Sequence, residues 1–262
     1  MPLEIIKPAI LAFVYFILFM LERFIPYFQP RQKAVSHSLR NLGLAAINSV
    51  VTVILFITIL QFVYHSTSSN QIGLLYQLDI PSTYSFFLAF LLIDLWQYLW
   101  HRLNHQIPLL WKFHQVHHAD KDMDASTALR FHPIEIAYSS LIRAGVFPVM
   151  GIQLEHLIIY ELIMLPIILW HHSNIRINEF ADTLLRIIIV TPHMHRLHHS
   201  DIHSETDSNY ASVFSFWDRL FRSYTMRSIA HGFNLGLGNK FSIHQWNRLR
   251  GMLTIPFLGK SG

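Results

Sequence analysis

Between Leu42 and Tyr64 the chain runs 23 residues without a charge. A helix rises about 1.5 Å per residue and a bilayer core is about 30 Å thick, so this stretch is long enough to cross a membrane. The remaining chain agrees with that reading. Of its 262 residues 52% are hydrophobic and 14% are charged, against about 25% charged in an ordinary soluble domain. The mean hydropathy is positive. The expectation is an all-α integral membrane protein. A basic balance of +4 beside so much apolar sequence points to membrane-flanking loops, and no nucleic-acid motif gives it another meaning.

Ile5–Phe24 reads as an uncleaved first membrane helix, because no small-residue cleavage site follows it. The link after it carries Arg31, Lys33 and Arg40, whereas His65–Thr83 carries no Lys or Arg. The positive-inside rule places the first loop in the cytoplasm and the second outside. Tyr84–Trp100 then returns to the cytoplasmic face, and Gln106-Ile107-Pro108 ends one helix and starts another. Ile134–Met150 and Ile152–Trp170, joined at Gly151, read as a hairpin entering the membrane and coming back, with Arg143 and Glu161 as charges inside it. This makes about four membrane helices or hairpin segments. Leu184–Val190 is too short to span, and Thr191-Pro192 is a helix start. The expected organisation is 1–83 for the N-terminal membrane helices and external loop, 84–225 for a catalytic region, and 226–262 for a cytoplasmic tail. Trp217, Phe221, Tyr224 and Trp246 are expected at the membrane interface.

There is no cysteine, which excludes disulfides, thiolate metal sites and a cysteine nucleophile. The unusual residue is histidine, with 18 copies against 16 acids. Five of them, His101, His105, His114, His117 and His118, fall in the 18 residues after the Tyr84–Trp100 segment. The first pair is spaced i, i+4 and the other three i, i+3, i+4, so each set occupies one helix face. His195, His198 and His199 repeat the second spacing. Neutral imidazole is a good ligand for iron, zinc and copper. The hairpin's even number of crossings leaves all of these on one side of the membrane. Eight histidines exceed the needs of one ion and suit two metals sharing a site.

Other candidates are weaker. Of His171 and His172, adjacent on a helix, only one points easily at such a site, and His172 is favoured. His132 has ligand and supporting roles equally open. Asp94 lies two turns before His101 on the same face and is expected to accept an N–H from a ligand histidine and orient it. Asn174 is either a supporting residue of the site or a helix cap. His37 and the other isolated histidines read as structural.

Several blocks, in order, carry a resemblance: D-LWQYLWHR--H (94–105), LW--H-VHH (110–118), T-LRFHP-E (127–135), HHSNI (171–175), TP--HRLHH (191–199) and D-NYAS----WDRLF (207–221). They resemble the fatty acid hydroxylase/sterol desaturase superfamily of membrane non-haem di-iron enzymes. The resemblance implies a helical membrane domain with its site at the cytoplasmic mouth, in a bacterial inner membrane or the endoplasmic reticulum. It implies O2-dependent hydroxylation or desaturation of a fatty acyl, sterol or related lipid. Carried over position by position, the ligands of two iron ions are His101, His105, His114, His117, His118, His172, His195, His198 and His199, with Asp94 and Asn174 as further site residues. The chain departs from the family pattern at Ala211 and Arg222-Ser223, where glycine and Gly-Thr are common. It also departs at Ile168, where some members carry a histidine that His132 or a water would have to replace here.

With no haem-binding or flavin-binding signature in the sequence, electrons are expected from a separate donor protein. Two rival readings are a zinc hydrolase, which lacks an HExxH here, and a histidine-rich metal transporter or sensor. A transporter would place its ligands at mid-membrane rather than after the apolar segments.

Overall fold

Prolines and glycines set most of the boundaries between helices. The structure is a computed structural model and describes residues 3–29, 34–227 and 234–258. Helix α1 covers Leu3–Phe24 and α2 covers Ala34–Leu55. The chain bends at Phe56 into α3 (Ile57–Ser69), followed by the single turn α4 (Leu74–Gln77). Helix α5 (Ser82–Gln106) meets the α3–α4 segment at 87°. Pro108 opens α6 (Pro108–His118) one residue after α5 ends. Helices α7 (Pro133–Met150) and α8 (Leu154–His172) form a hairpin whose corner is Gly151 at φ 78°. Two short helices follow, α9 (Glu179–Leu185) and α10 (Pro192–His198).

Every regular element among the described residues is helical, as expected. Two described helices, α2 and α8, are long and apolar enough to cross a membrane, and a third crossing arises if α3–α4 and α5 form one bent span. This differs from the expected partition. The uncharged run Leu42–Tyr64 is not one helix: its first part completes α2 and it breaks at Phe56. No proline or glycine marks that break. The five residues Val50–Ile54 are all β-branched, which weakens helix propensity, and Phe56 buries its ring at the bend. Phe13, Phe16, Val53, Ile54, Phe62 and Phe87 point outward. An apolar surface of this kind is stable when lipid covers it, and the protein is integral to a membrane.

The inner faces of α3, α5, α7 and α8 meet in a core containing Tyr64, Ile93, Phe147 and Tyr160. Gly73 permits the α3–α4 corner to approach the hairpin corner, because a Cβ there would collide with the Pro148 carbonyl. The C-terminal segment folds back, and Phe241, Trp246, Met252 and Ile255 pack on Leu44, Val116 and Ala119. Trp246 is therefore in a core and not at an interface. Trp217 is also buried, with its indole N–H donating to Asp94 at 2.9 Å.

A buried polar collar ties these layers together below the histidines. Asp120 accepts from Thr127 at 2.8 Å and faces His37 at 3.0 Å, while His37 also reaches Asp124 at 2.9 Å. Arg130, fully buried, donates to the Val116 carbonyl at 2.9 Å and to the Trp246 carbonyl. His37 is structural, as its isolation in the sequence suggests.

Candidate metal centre

Three local devices deliver the histidines. The end of α5 presents His101 and His105 one turn apart. The Ile107-Pro108 reversal lays α6 against it, so that His114, His117 and His118 face the same space. Thr191 caps α10 by accepting from the Met194 N–H at 3.4 Å, and Pro192 occupies its first turn, where a missing N–H costs nothing. That helix carries His195 and His198, with His199 at its C-cap. The last turn of α8 adds His172.

The structure brings all nine together. One ring nitrogen each from His101, His105, His114 and His118 lie within 4.8 Å of one another, and the same holds for His117, His172, His195 and His199. His118, His198 and His199 form a third such set, sharing one member with each of the others. At a metal–nitrogen distance of about 2.1 Å, two ligands of one ion lie about 3.0 Å apart at right angles and about 4.2 Å apart when opposite. Two adjoining ions fit this arrangement.

The hydrogen bonds at Nδ1 fix where the ring protons sit. Nδ1 of His101 lies 2.8 Å from the Tyr210 carbonyl and Nδ1 of His198 lies 2.6 Å from the Ser208 carbonyl. A carbonyl only accepts, so each Nδ1 carries the proton and each Nε2 of the neutral ring is a bare lone pair. Those two Nε2 atoms face each other at 3.0 Å. No hydrogen bond is available between them, and a cation is what they fit. His172 repeats the pattern: its Nδ1 donates to the Ile168 carbonyl at 2.8 Å, and its Nε2 faces His195 at 2.9 Å and His117 at 3.2 Å. Nε2 of His105 and His114 and both nitrogens of His118 and His199 are buried without a hydrogen-bond partner. Burial, reinforced by the neighbouring rings, holds His117, His118, His195 and His199 well below the ordinary histidine value and brings His198 down to about 3. The rings are neutral and ready to ligate.

Groups behind the rings fix their direction. Glu135, in the first turn of α7, approaches Nδ1 of His114 at 2.7 Å, and Asp207 approaches Nδ1 of His105 at 3.2 Å. Phe131 stacks on His117 with ring centroids 4.7 Å apart. Asn209 takes a left-handed conformation at φ 53° between the two carbonyls that hold His198 and His101. Its side chain is anchored to the Met194 and Thr225 carbonyls, and Asp218 accepts from the N–H groups of Tyr210 and Ala211. The motifs around 127–135 and 207–221 already contained Glu135, Asp207 and Asn209, but spacing alone gave them no role.

The other sequence candidates lie elsewhere. Asp94 does not touch a histidine. Its carboxylate accepts from Tyr160 at 2.7 Å, from Trp217 at 2.9 Å and from the Phe214 N–H at 3.1 Å, which pins the 213–217 segment to α5 and α8. Asn174 bonds to the backbone of Phe28 in both directions, at 2.8 and 3.1 Å, and ties the chain after α1 to the end of α8. His132 is the N-cap of α7, its Nδ1 accepting from Ile134 at 3.1 Å and its Nε2 lying 3.3 Å from the Leu253 carbonyl, so it does not stand in for the residue at Ile168. His171 stacks on His195 at 4.0 Å without joining either four-nitrogen group.

A cavity of about 220 Å³ opens on the histidines, with His101, His114, His117, His172 and His195 on one wall. Met164, Leu165, Ile168 and Ile136 form an apolar wall, and Gln97, Ser139 and Arg143 a polar one. Ala128, Leu165 and Ile168 also line an apolar groove of about 650 Å³ between α1, α2 and α8. Those three side chains therefore stand between the cavity and the groove, which lie next to each other.

A helical membrane protein with eight histidines in two adjoining four-nitrogen sites, a ninth (His198) beside them, and a cavity alongside is the class that fold and site define. The profile of the fatty acid hydroxylase family matches residues 86–223, more than half of the chain, and the chain belongs to that family. It is 32% identical over 155 residues to alkylglycerol monooxygenase of Homo sapiens, covering 57% of this chain and 33% of that protein. It is 28% identical over 146 residues to ornithine lipid hydroxylase OlsE of Rhizobium tropici, covering 55% of this chain and 43% of that protein. The chain therefore spans about a third of the human relative's length. No solved structure matches it.

Proposed function

We propose that this chain hydroxylates a membrane lipid with O2 at a pair of non-haem irons. One iron is held by His101, His105, His114 and His118 and the other by His117, His172, His195 and His199, with His198 directed to the first through its contact with His101. Bound there, two irons supply the redox chemistry that breaks an unactivated C–H bond with O2. The residues of the chain do the rest. Glu135, Asp207 and the carbonyls of Tyr210, Ser208 and Ile168 keep each Nδ1 proton away from the metal side of its ring. Leu165, Ile168 and Met164 exclude water and lay a hydrocarbon against the histidine wall. The relatives, an alkylglycerol monooxygenase and an ornithine lipid hydroxylase, favour oxygen insertion into a lipid over desaturation.

The observation that carries this reading is the cavity, whose lining sets bare imidazole nitrogens and apolar side chains around one space. By the charge of the Arg31/Lys33/Arg40 loop the centre faces the cytoplasm, where a separate donor protein supplies electrons. The test measures iron per chain and reductant-dependent O2 uptake in the purified protein, and compares lipid extracts of cells with and without it by mass spectrometry. A +16 product with O2 consumption is expected. A metal transporter or sensor, or a zinc hydrolase, consumes no O2.

A further inference from the structure

We propose that the cavity selects a single-chain amphiphile by its anionic head, a carboxylate or a phosphate, and that Arg143 binds that head. This rests on the lipid-hydroxylase reading and adds the substrate's charge and orientation to it. Arg143 lies in α7 just after the outward-facing Leu141 and Ile142, and it forms part of the cavity wall. Arg143 is half-buried there, and a guanidinium drawn away from water is costly unless something answers its charge. Among the described residues it makes no hydrogen bond and no ion pair. Lys7 pairs with Glu161, Arg130 with Asp120 and Arg186 with Asp182, while Arg23, Arg102 and Arg196, which pair with no acid among the described residues, are met by neutral oxygens; Arg143 has neither.

The polar wall around Arg143 offers donors. Ser139, one turn earlier, accepts from the Trp100 indole at 2.9 Å and keeps its own hydroxyl hydrogen for an acceptor. The Gln97 amide nitrogen meets only the Met164 sulfur, at 3.5 Å. The acid on the cavity wall, Glu135, is turned to His114. A guanidinium, a hydroxyl and an amide around one space match a group with several acceptor oxygens and a negative charge. Arg143 is eight residues beyond Glu135, about 12 Å along the helix. With the head at Arg143, the hydrocarbon chain lies against Met164, Leu165 and Ile168 and runs toward the histidines. Oxidation then falls within roughly that 12 Å of the head.

The test is binding, in the full chain in neutral phosphatidylcholine nanodiscs, with and without iron. The probes are hexadecanoate, hexadecyl phosphate and hexadecanol, read by quenching of tryptophan fluorescence, since Trp100 lines the cavity. A charge-assisted contact implies that at least one anion binds about 10-fold or more tightly than the alcohol, and the better of the two identifies the head. Arg143→Gln should reduce that anion to the affinity of the alcohol. If Arg143→Gln does not fold, Arg143→Lys decides, because loss of the planar fork should lower the preference several-fold. Equal affinities for all three probes in the wild type, or a preference that survives the substitution, overturn the proposal. Because the readout is binding, a chain that prefers anions through Arg143 yet takes up no O2 supports this assignment and overturns the hydroxylase reading instead.

Discussion

Oε1 of Glu135 lies 2.7 Å from Nδ1 of His114, and both side chains are buried. The contact crosses from α7 to α6, so the carboxylate both joins two helices and sets which nitrogen of the ring is bare. Glutamine at 135 keeps the shape but presents a weaker acceptor and allows the wrong ring tautomer. Glu135→Gln is expected to lower iron affinity or activity about 10- to 100-fold, while helix content stays the same. Iron titration of the two proteins side by side checks this.

Asp94 acts on the fold rather than on the rings. It is fully buried and answers three donors, Tyr160, Trp217 and the Phe214 N–H. In Asp94→Asn one of those donors meets an amide N–H instead of an oxygen. Stability should fall by on the order of 3 kcal/mol, while the fraction that remains folded binds its full iron complement. Denaturant unfolding in detergent together with metal analysis separates the two effects; normal stability with lost iron would return Asp94 to the site.

Acid should unfold the metal-free protein. His117, His118, His195 and His199 are held well below the ordinary value near 6.5, and His198 near 3. The unfolded chain therefore takes up protons below about pH 6.5 that the folded chain refuses. Stability is fully present above that pH and declines as the pH falls toward about 3, by up to about 1.4 kcal/mol per unit for each ring. In the iron-loaded protein the same protons compete with the metal, so iron should be lost below about pH 6. Unchanged metal content at pH 5 would contradict this.

Arg222 adopts φ 59°, a conformation that glycine takes freely. A side chain in that left-handed region costs roughly 1–2 kcal/mol, part of which glycine would return as unfolded-state entropy. Arg222→Gly is expected to stabilise the protein by about 0.5–1 kcal/mol without changing iron content. The neighbouring Ser223 holds the turn through Asp218 and Tyr98, both at 2.8 Å. A thermal melt of the variant in detergent provides the check.

What could be read along the chain was what depends on near neighbours. Histidines at i, i+3 and i+4 shared a face because helix geometry makes them do so. Ile107-Pro108, Gly151 and Thr191-Pro192 marked a break, a corner and a start because each has a backbone preference of its own. Partners that are backbone carbonyls were invisible: nothing about Ser208 or Tyr210 as residue types announces that their C=O groups will hold His198 and His101. Asp94 shares the face of His101 by spacing, but two of its three donors lie about 120 residues further on, in a segment whose path no periodicity gives. Trp217 and Trp246 resembled interfacial aromatics for the same reason. The bend at Phe56 has no glycine or proline to signal it.

The account depends on the two four-nitrogen groups each holding an ion. The most direct measurement is iron per chain after anaerobic loading with Fe(II), for the wild type and for His101→Ala and His195→Ala separately. Two irons are expected in the wild type and about one in each variant, since the substitutions fall in different groups. A wild type that saturates at one iron or none, or a single substitution that leaves both irons in place, would contradict it.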